Sequence, residues 1–528
     1  MENHSTLKTR FVVLRERLKQ PEWRRYGMLL AAGKLAGLAV LFAVFMLTNP
    51  DLFGSRVGVV SGDREFTYRQ LKSRAERLST ALTQLGVQQG DRVAYLSFNT
   101  HALLEGYYGV PQAHAILLPL NVRLSEPELA AILRHARPRV LIYEEDFAQV
   151  VDRLRPALDR TIQIGQEYEA LLASGHEQHA DIFEYDELAI AELFYTSGST
   201  GAPKGVALSH RTLYLHALDY ALQYRQPETM IDLQTIPFYH ANGWGRPQAS
   251  TMLGTKQILV RRFEPEQVFQ LIQQHRGTDM CLVPTMANAL LNSPARANYD
   301  LSSLRHINMG GAANSPDLVR RMEEVFGCEC STGYGLTETT PVITHTEPKA
   351  ALLALPDQER QLRQSKTGWP LPGVSLRVVD GEMNDVPQDG VTVGEIVAMG
   401  DHVMDGYFND PAATEAAFSG HWFHTGDMAV WDPDNYINIV DRKKQIIISG
   451  GENIYPRENE EVLYTHPAVQ DVSVVGVPDP KYIEELAAWI RLKPGQTATE
   501  ADIRAYCQGN LAHYKVPKYI RFVAEFPQ

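Results

Sequence analysis

Residues 195–205 read Tyr195-Thr196-Ser197-Gly198-Ser199-Thr200-Gly201-Ala202-Pro203-Lys204-Gly205, a run with four small hydroxyls, three glycines and one lysine. Leu188, Ile190, Leu193 and Phe194 lead into it as a strand-like stretch, and Val206-Ala207-Leu208-Ser209 follow it. Glycine lets successive backbone N–H groups converge on one point, and Ser and Thr hydroxyls add donors around that point. Lys204 adds a charge that can follow moving phosphate oxygens. The loop is built to hold a triphosphate. It lacks the Walker A spacing, because no Gly-Lys-Ser/Thr opens a helix.

Four further segments carry similar signals: Gly310-Gly311-Ala312, Tyr334-Gly335-Leu336-Thr337-Glu338-Thr339, Thr425-Gly426-Asp427, and Asp441-Arg442-Lys443-Lys444 followed by Ser449-Gly450-Gly451-Glu452-Asn453-Ile454-Tyr455-Pro456. Together with the loop, and in this order, they resemble the core motifs of the adenylate-forming enzymes. That superfamily contains acyl-CoA synthetases, aryl-CoA ligases, luciferase and peptide-synthetase adenylation domains. The resemblance runs from about Arg56 to the C-terminus, and its nearest branch is the medium- to long-chain fatty acyl-CoA ligases.

At 528 residues the chain is too long for one ordinary core, so two or more domains are expected. A hydrophobic content of 44% with 21% charged residues describes a globular protein. The net charge of −13 argues against nucleic-acid binding, which needs basic surface. Four scattered cysteines (Cys281, Cys328, Cys330, Cys507) do not make a disulfide framework and read as reduced structural thiols.

Met28–Thr48 is a 21-residue apolar stretch interrupted only by Lys34, long enough to cross a bilayer as a helix. Lys8, Arg10, Arg15, Arg17, Lys19, Arg24 and Arg25 precede it, and Trp23 and Tyr26 lie at the junction, where amphipathic aromatics favour a membrane interface. A single span with the basic end in the cytosol would put the body on the side away from ATP. A helix lying in the interface, a re-entrant helix or an inverted orientation removes the conflict. The expectation is a cytoplasmic protein associated with a membrane through residues 28–48.

The body alternates strands and helices, which implies parallel sheets with covered faces. Phe66 to about Leu85 reads as a helix ended by Gly86, and Glu126–Ala136 as a helix capped by Ser125 with Pro127 in its first turn. Arg92–Leu96, Ala113–Leu120, Val140–Tyr143, Gln257–Val260, Met280–Val283 and His306–Met309 read as strands. After Pro372-Gly373, closely spaced strands suggest a small antiparallel unit. The expected fold is α/β: stacked α/β subdomains and a small β unit over 51–440, then a smaller, mobile α+β domain over 441–528, with 1–50 as a separate basic and apolar segment.

The resemblance assigns roles. Thr196, Ser197, Gly198, Ser199, Thr200, Gly201 and Lys204 would hold the β- and γ-phosphates. Thr337 would contact the α-phosphate, and Glu338 would bind Mg²⁺, for which a hard oxygen ligand is suited. Tyr334 and Gly335 would face the adenine, with Gly311 and Ala312 lining the base. Asp427 would accept both ribose hydroxyls, and Arg442 would contact the same sugar. Lys444 would be the hinge, and Gly450 and Gly451 would let the thiol arm of CoA pass close to backbone. Phe238-Tyr239-His240-Ala241-Asn242-Gly243-Trp244-Gly245 resembles the segment bordering the acyl site, with His240 near the substrate carboxylate and Trp244 walling the chain tunnel. The catalytic set is thus Lys204, His240, Thr337 and Glu338.

The implied reaction is ATP-dependent activation of a carboxylic acid, most simply a fatty acid, to acyl-AMP with release of pyrophosphate, followed by transfer to CoA. The implied partners are ATP, CoA, the acid and a membrane surface, and the reading is compatible with a homodimer. The family's Pro-x-Thr-x-x-Gly-Lys segment, whose lysine orients carboxylate and α-phosphate, would begin where Phe526-Pro527-Gln528 stand. Lys515 and Lys518 belong to the preceding motif. The 528-residue chain is therefore expected to adenylate poorly and to form thioester better from supplied acyl-adenylate. The alternatives are a ligase that passes acyl-AMP to a carrier protein and a catalytically impaired protein that binds nucleotide or acyl-adenylate.

Overall fold

The computed structural model describes residues 53–154, 158–178, 186–196, 203–222, 229–312, 314–347, 350–443, 445–449, 452–479 and 483–526. Outside them lie the 1–50 segment with its apolar stretch, Ser197, Gly198, Ser199, Thr200 and Gly201 of the loop, the hinge residue Lys444, and Gly450 and Gly451. Among the described residues no helix is long and apolar enough to cross a membrane. The chain forms two compact units. One gathers the chain up to Thr278 with Thr337–Pro341 and Met404–Asp410, and the other gathers Asp279–Leu336, Val342–Val403 and Pro411–Gln528.

The first unit holds a seven-stranded sheet in the order Gly406–Tyr407, Lys204–Ser209, Ile190–Thr196, Ile116–Pro119, Arg92–Leu96, Val140–Tyr143, Thr161–Gln163. The last five run parallel, whereas Lys204–Ser209 is antiparallel to both of its neighbours. Leu96, Leu118, Leu141 and Leu193 of this sheet bury against Leu129, Ile132 and Leu133 of the helix Glu126–Ala136. Leucine and isoleucine at that spacing put one apolar stripe on the sheet. The helix starts as expected: Glu128 Oε2 accepts from the Ser125 N–H at 2.7 Å and from its hydroxyl at 2.6 Å. In a second sheet of the same unit, Ile231–Gln234, Lys256–Leu259 and Val57–Ser61 run parallel, and Arg64–Thr67 closes the edge.

Two expectations are corrected here. The helix expected from Phe66 begins at Tyr68, because Phe66 and Thr67 finish the edge strand Arg64–Thr67; Thr67 then caps the helix by accepting from the Gln70 N–H at 3.2 Å. The strand expected over Ala113–Leu120 is Ile116–Pro119, and Ala113 instead ends a helix, His101–Gln112, that the sequence pattern hides. Nearly every residue of that helix is buried, so no polar face marks its period. Gly109 is there for packing: a Cβ would meet the Ala75 carbonyl and the Leu78 side chain at 2.8 Å.

In the second unit, Asp279–Leu282, His306–Met309 and Glu329–Gly335 run parallel, and Val342–His345 and Trp369–Pro370 continue antiparallel. The expected antiparallel unit is present. Val374–Val379, Val393–Gly400 and Trp422–Trp431 pair in sequence, and Phe418–Ser419 and Ile437–Arg442 both pair with Trp422–Trp431. The chain from Ile447 builds its own sheet, with Ile483–Leu492 between Val469–Asp479 and Tyr519–Phe522. Ile447, Ile454, Leu463, Val472, Leu486, Ile490, Ile503 and Ile520 form its core. The α/β class with a large N-terminal body and a small C-terminal domain is the one expected.

Because Leu486 is fully buried in this separate core, Leu486→Ala should cost about 2–5 kcal/mol. Hydrogen exchange should then accelerate across 447–522 while amides of Ile116–Pro119 keep their protection. Equal acceleration in both regions would show that the small core has no independent stability.

Candidate active site

In the first unit, Thr196 and Lys204 are cross-strand partners at the open end of the hairpin Ile190–Thr196/Lys204–Ser209. The two described ends of the phosphate-type loop therefore stand side by side. Gly406–Tyr407 adds to Lys204–Ser209, with Tyr407 opposite Val206. This places the Lys204 ammonium 4.7 Å from the centre of the Tyr407 ring, a favourable position over the negative ring face. The Tyr407 hydroxyl donates to Glu338 Oε1 at 3.0 Å. Glu338 is held in turn: its carbonyl accepts from the Met404 N–H at 2.8 Å, and Thr340 N–H closes the short turn onto the Thr337 carbonyl at 3.2 Å. Burial first, then the Glu338 charge, pushes the Tyr407 hydroxyl well above the usual phenol range, so it stays a donor.

The structure thus joins Lys204 and Glu338 through Tyr407, which the sequence reading missed, with Thr337 in the same short turn as Glu338. A tyrosine beside a glycine carries no motif, and its role arises from strand pairing. Among the described residues no cluster of three or more His, Cys, Asp or Glu could hold a metal alone. A single carboxylate beside a lysine suits Mg²⁺ shared with nucleotide phosphates, because that ion uses one or two carboxylates and keeps its other positions for water and phosphate.

In the second unit, Met309 and Thr332 are register partners on parallel strands. Gly310-Gly311-Ala312 therefore leaves the sheet at the carboxyl edge to which Tyr334-Gly335, still paired with Val342–His345, extend the neighbouring strand, the edge where open α/β sheets bind ligands. Gly311 has φ +73°, which turns the backbone back toward that edge. The Tyr334 hydroxyl donates to Asp427 Oδ2 at 2.7 Å, and Arg442 Nε to Asp427 Oδ1 at 2.8 Å. Asp427 and Arg442 lie directly opposite each other in the antiparallel pair Trp422–Trp431/Ile437–Arg442. Burial raises the Asp427 pKa, while Arg442 and Tyr334 pull it back.

Glu395, also missed in the sequence, supports this turn. It accepts from the Gly426 N–H at 3.1 Å and the Lys443 ammonium at 2.9 Å, and meets His424 Nδ1 at 3.1 Å. Burial works to raise its pKa, but Lys443 and His424 outweigh that and hold it below the usual range.

The expected acyl segment lies in the first unit. Asn99 anchors the approach: its amide donates to the carbonyls of Gln234 (3.0 Å) and Ile236 (2.9 Å) and its oxygen accepts from the Phe238 N–H at 2.8 Å. The Tyr107 hydroxyl takes the Phe238 carbonyl at 2.6 Å. Beyond it, Ala241, Asn242, Gly243, Trp244 and Gly245 all have φ between 44° and 71°. Trp244 is buried, whereas His240, just before the turn, is exposed. Desolvation, followed by the nearby Arg123 charge, lowers the His240 pKa, so the ring is neutral near pH 7.

Asp427→Ala should weaken ATP binding about tenfold or more, since hydrogen bonds to a charged group contribute about 1.5–3 kcal/mol. Tyr334→Phe removes a bond that favours the Asp427 carboxylate, so the group should protonate at higher pH and the acid limb of ATP affinity should move up in pH. Calorimetric titrations across pH check both, and an acid limb that stays in place would count against this role for Tyr334.

The profile of AMP-binding enzymes matches residues 48–408, and that of the AMP-binding enzyme C-terminal domain matches residues 458–528. The chain is 35% identical to the acetate/butyrate–CoA ligase AAE7 of Arabidopsis thaliana, over 89% of this chain and 88% of that one. It is 36% identical to a long-chain-fatty-acid–CoA ligase of Thermus thermophilus, over 88% and 87%. The ATP-bound structure of MatB from Rhodopseudomonas palustris superposes with a TM-score of 0.82 at 27% identity, covering 93% of this chain and 96% of that one. With both profiles matched along most of its length, the chain belongs to the AMP-binding enzyme family, the adenylate-forming superfamily, and its relatives within it include acid–CoA ligases.

Proposed function

We propose that this protein activates an aliphatic, fatty-type carboxylic acid with ATP and transfers it to CoA. In the first half-reaction a carboxylate oxygen attacks the α-phosphorus, the bond to the bridging oxygen breaks, and pyrophosphate leaves with the electron pair. In the second, the CoA thiolate attacks the acyl carbon, and AMP leaves as the C–O bond breaks. The observation that carries the reading is that, in a chain of this family, the first unit holds a cluster of Lys204, Tyr407 and Glu338 suited to phosphates and the second holds, by itself, the carboxylate of Asp427 with Arg442 and Tyr334, suited to a ribose.

Joining two anions requires their repulsion to be offset at the reacting phosphorus. Lys204 supplies a cation at the departing phosphates. Glu338, kept in place by Tyr407, would hold Mg²⁺, which when bound neutralises phosphate charge. Asp427 fixes the sugar and hence the position of the α-phosphate. His240, being neutral, can bond the acid without neutralising the attacking carboxylate. An aliphatic chain is supported by the apolar Phe238 and Trp244 in the same segment and by relatives named for acetate, butyrate and long-chain fatty acids, although others are named for the aromatic acids benzoate and anthranilate.

The test is pyrophosphate release and CoA-thioester formation with acetate, butyrate, octanoate and palmitate. Thioester formation from supplied octanoyl-adenylate runs in parallel, to separate the second half-reaction from the first. The expected result is Mg²⁺-dependent thioester with octanoate or palmitate preferred. Preference for acetate removes the fatty-acid part and leaves the ligase. Failure to make thioester even from the supplied adenylate overturns the CoA step.

A further inference from the structure

Glu192 has no part in the chemistry above, yet it is a carboxyl only 2% exposed in the strand Ile190–Thr196 that leads into the phosphate loop. Gln248 Nε2 donates to its Oε1 at 3.2 Å, and the Asn242 side chain faces the same carboxyl. Asn242 is in the positive-φ turn, and Gln248 is in the helix Arg246–Leu253 that leaves it. One carboxyl therefore holds the turn within its span and beyond its exit.

That turn needs holding. Left-handed backbone is unfavourable for an L-residue, and Ala241, Asn242 and Trp244 each carry a Cβ there. Such a run persists only where its surroundings over-determine it. At Gly245 a Cβ would meet the His216 ring at 2.3 Å, so the backbone lies hard against that ring. Glu192 Oε2, Asn242 Oδ1 and Gln248 Oε1 are buried without a hydrogen-bond partner among the described residues. The cluster is rich in acceptors and short of donors, and a proton on Glu192 supplies one. Burial accordingly pushes the Glu192 pKa to about 8, with Gln248 and Asn242 working against it. The helix His101–Gln112 presents Tyr107 and Tyr108 to it, both held neutral by burial, and among the described residues no cation contributes.

We propose that Glu192 is a positioning residue for the acid substrate: through Asn242 and Gln248 it holds the left-handed turn that sets His240 and Trp244 at the acyl pocket. The link to acid affinity rests on the function proposed above, whereas the dependence of the turn on Glu192 does not.

Glu192→Ala and Glu192→Gln test it with two readouts. The first is acrylamide quenching of the Trp244 fluorescence, taken as the difference between each protein and its Trp244→Phe counterpart. The second is KM for the acid against KM for ATP. Glu192→Ala should make Trp244 more quenchable and raise the acid KM about tenfold, the loss of roughly one buried hydrogen bond, with the ATP KM unchanged. Glu192→Gln should preserve both near pH 7. With the folded pKa raised from 4.5 to about 8, the carboxyl's stabilisation is full below 4.5 and is lost as pH rises to about 8. The turn of the unsubstituted protein should therefore loosen on the alkaline side, and that of Glu192→Gln should not. Unchanged Trp244 quenching in Glu192→Ala overturns the proposal, as does alkaline loosening that persists in Glu192→Gln. If Glu192→Ala does not fold, the alkaline comparison with Glu192→Gln decides. A protein that makes no thioester with any acid refutes the functional reading, while quenching still decides the role of Glu192 in the turn.

Discussion

The buried ion pair between Asp232 and Arg246 closes the stretch of chain that carries the acyl segment. Asp232 is fully buried and Arg246 is 2% exposed. Asp232 also accepts from the Ser250 hydroxyl at 2.8 Å and from Gln234 Nε2 at 2.9 Å. Removing one partner of such a pair strands a charge away from water and costs roughly 3–5 kcal/mol. The pair therefore ties the strand Ile231–Gln234 to the first residue of the helix Arg246–Leu253 and fixes the length of chain between them. Within that closed stretch the backbone must reverse tightly, and it does so through five successive positive φ values. Asn99 and Tyr107 hold one side of the reversal, at Phe238, and Glu192 holds the other.

Carboxyl groups in different surroundings do different work in this fold. Asp427 is buried, but Arg442 and Tyr334 sit on its two oxygens, so the charged form has partners. Glu395 is compensated further by Lys443 and His424 and stays ionised. Glu192 has amides and no cation, and burial keeps its proton on. Burial disfavours the charge in all three: at Glu395 Lys443 and His424 outweigh it, at Asp427 Arg442 and Tyr334 oppose it without outweighing it, and at Glu192 no cation opposes it. Glu395 is thus suited to hold N–H groups as an anion, Asp427 to accept from donors on both its oxygens, and Glu192 to act as a neutral hydrogen-bonding strut.

Much of the architecture was legible in the residues. Ser125 followed by Glu128 marked the start of the helix Glu126–Ala136, and β-branched residues marked the closely spaced strands after Gly373. The helix His101–Gln112 was not legible, because a helix buried on all sides shows no polar face and its glycines serve packing. The site divides in the same way. Lys204, Tyr334, Thr337, Glu338, Asp427 and Arg442 stand in segments whose glycines and hydroxyls announce a ligand. Tyr407, Glu395 and Glu192 stand in no motif.

The sequence by itself determined the family and the order of its segments, because those depend on local composition: glycines that free the backbone, hydroxyls that donate, and a lysine or carboxylate at a fixed place in a short loop. Only the tertiary structure decided which group holds which. Tyr407 reaches Lys204 and Glu338 through strand pairing, Arg442 meets Asp427 across a hairpin, and Glu192 meets Asn242 and Gln248 from a distant strand. Hydrogen bonds and burial act over a few ångströms of space, and the residues that share that space are tens to hundreds of positions apart along the chain.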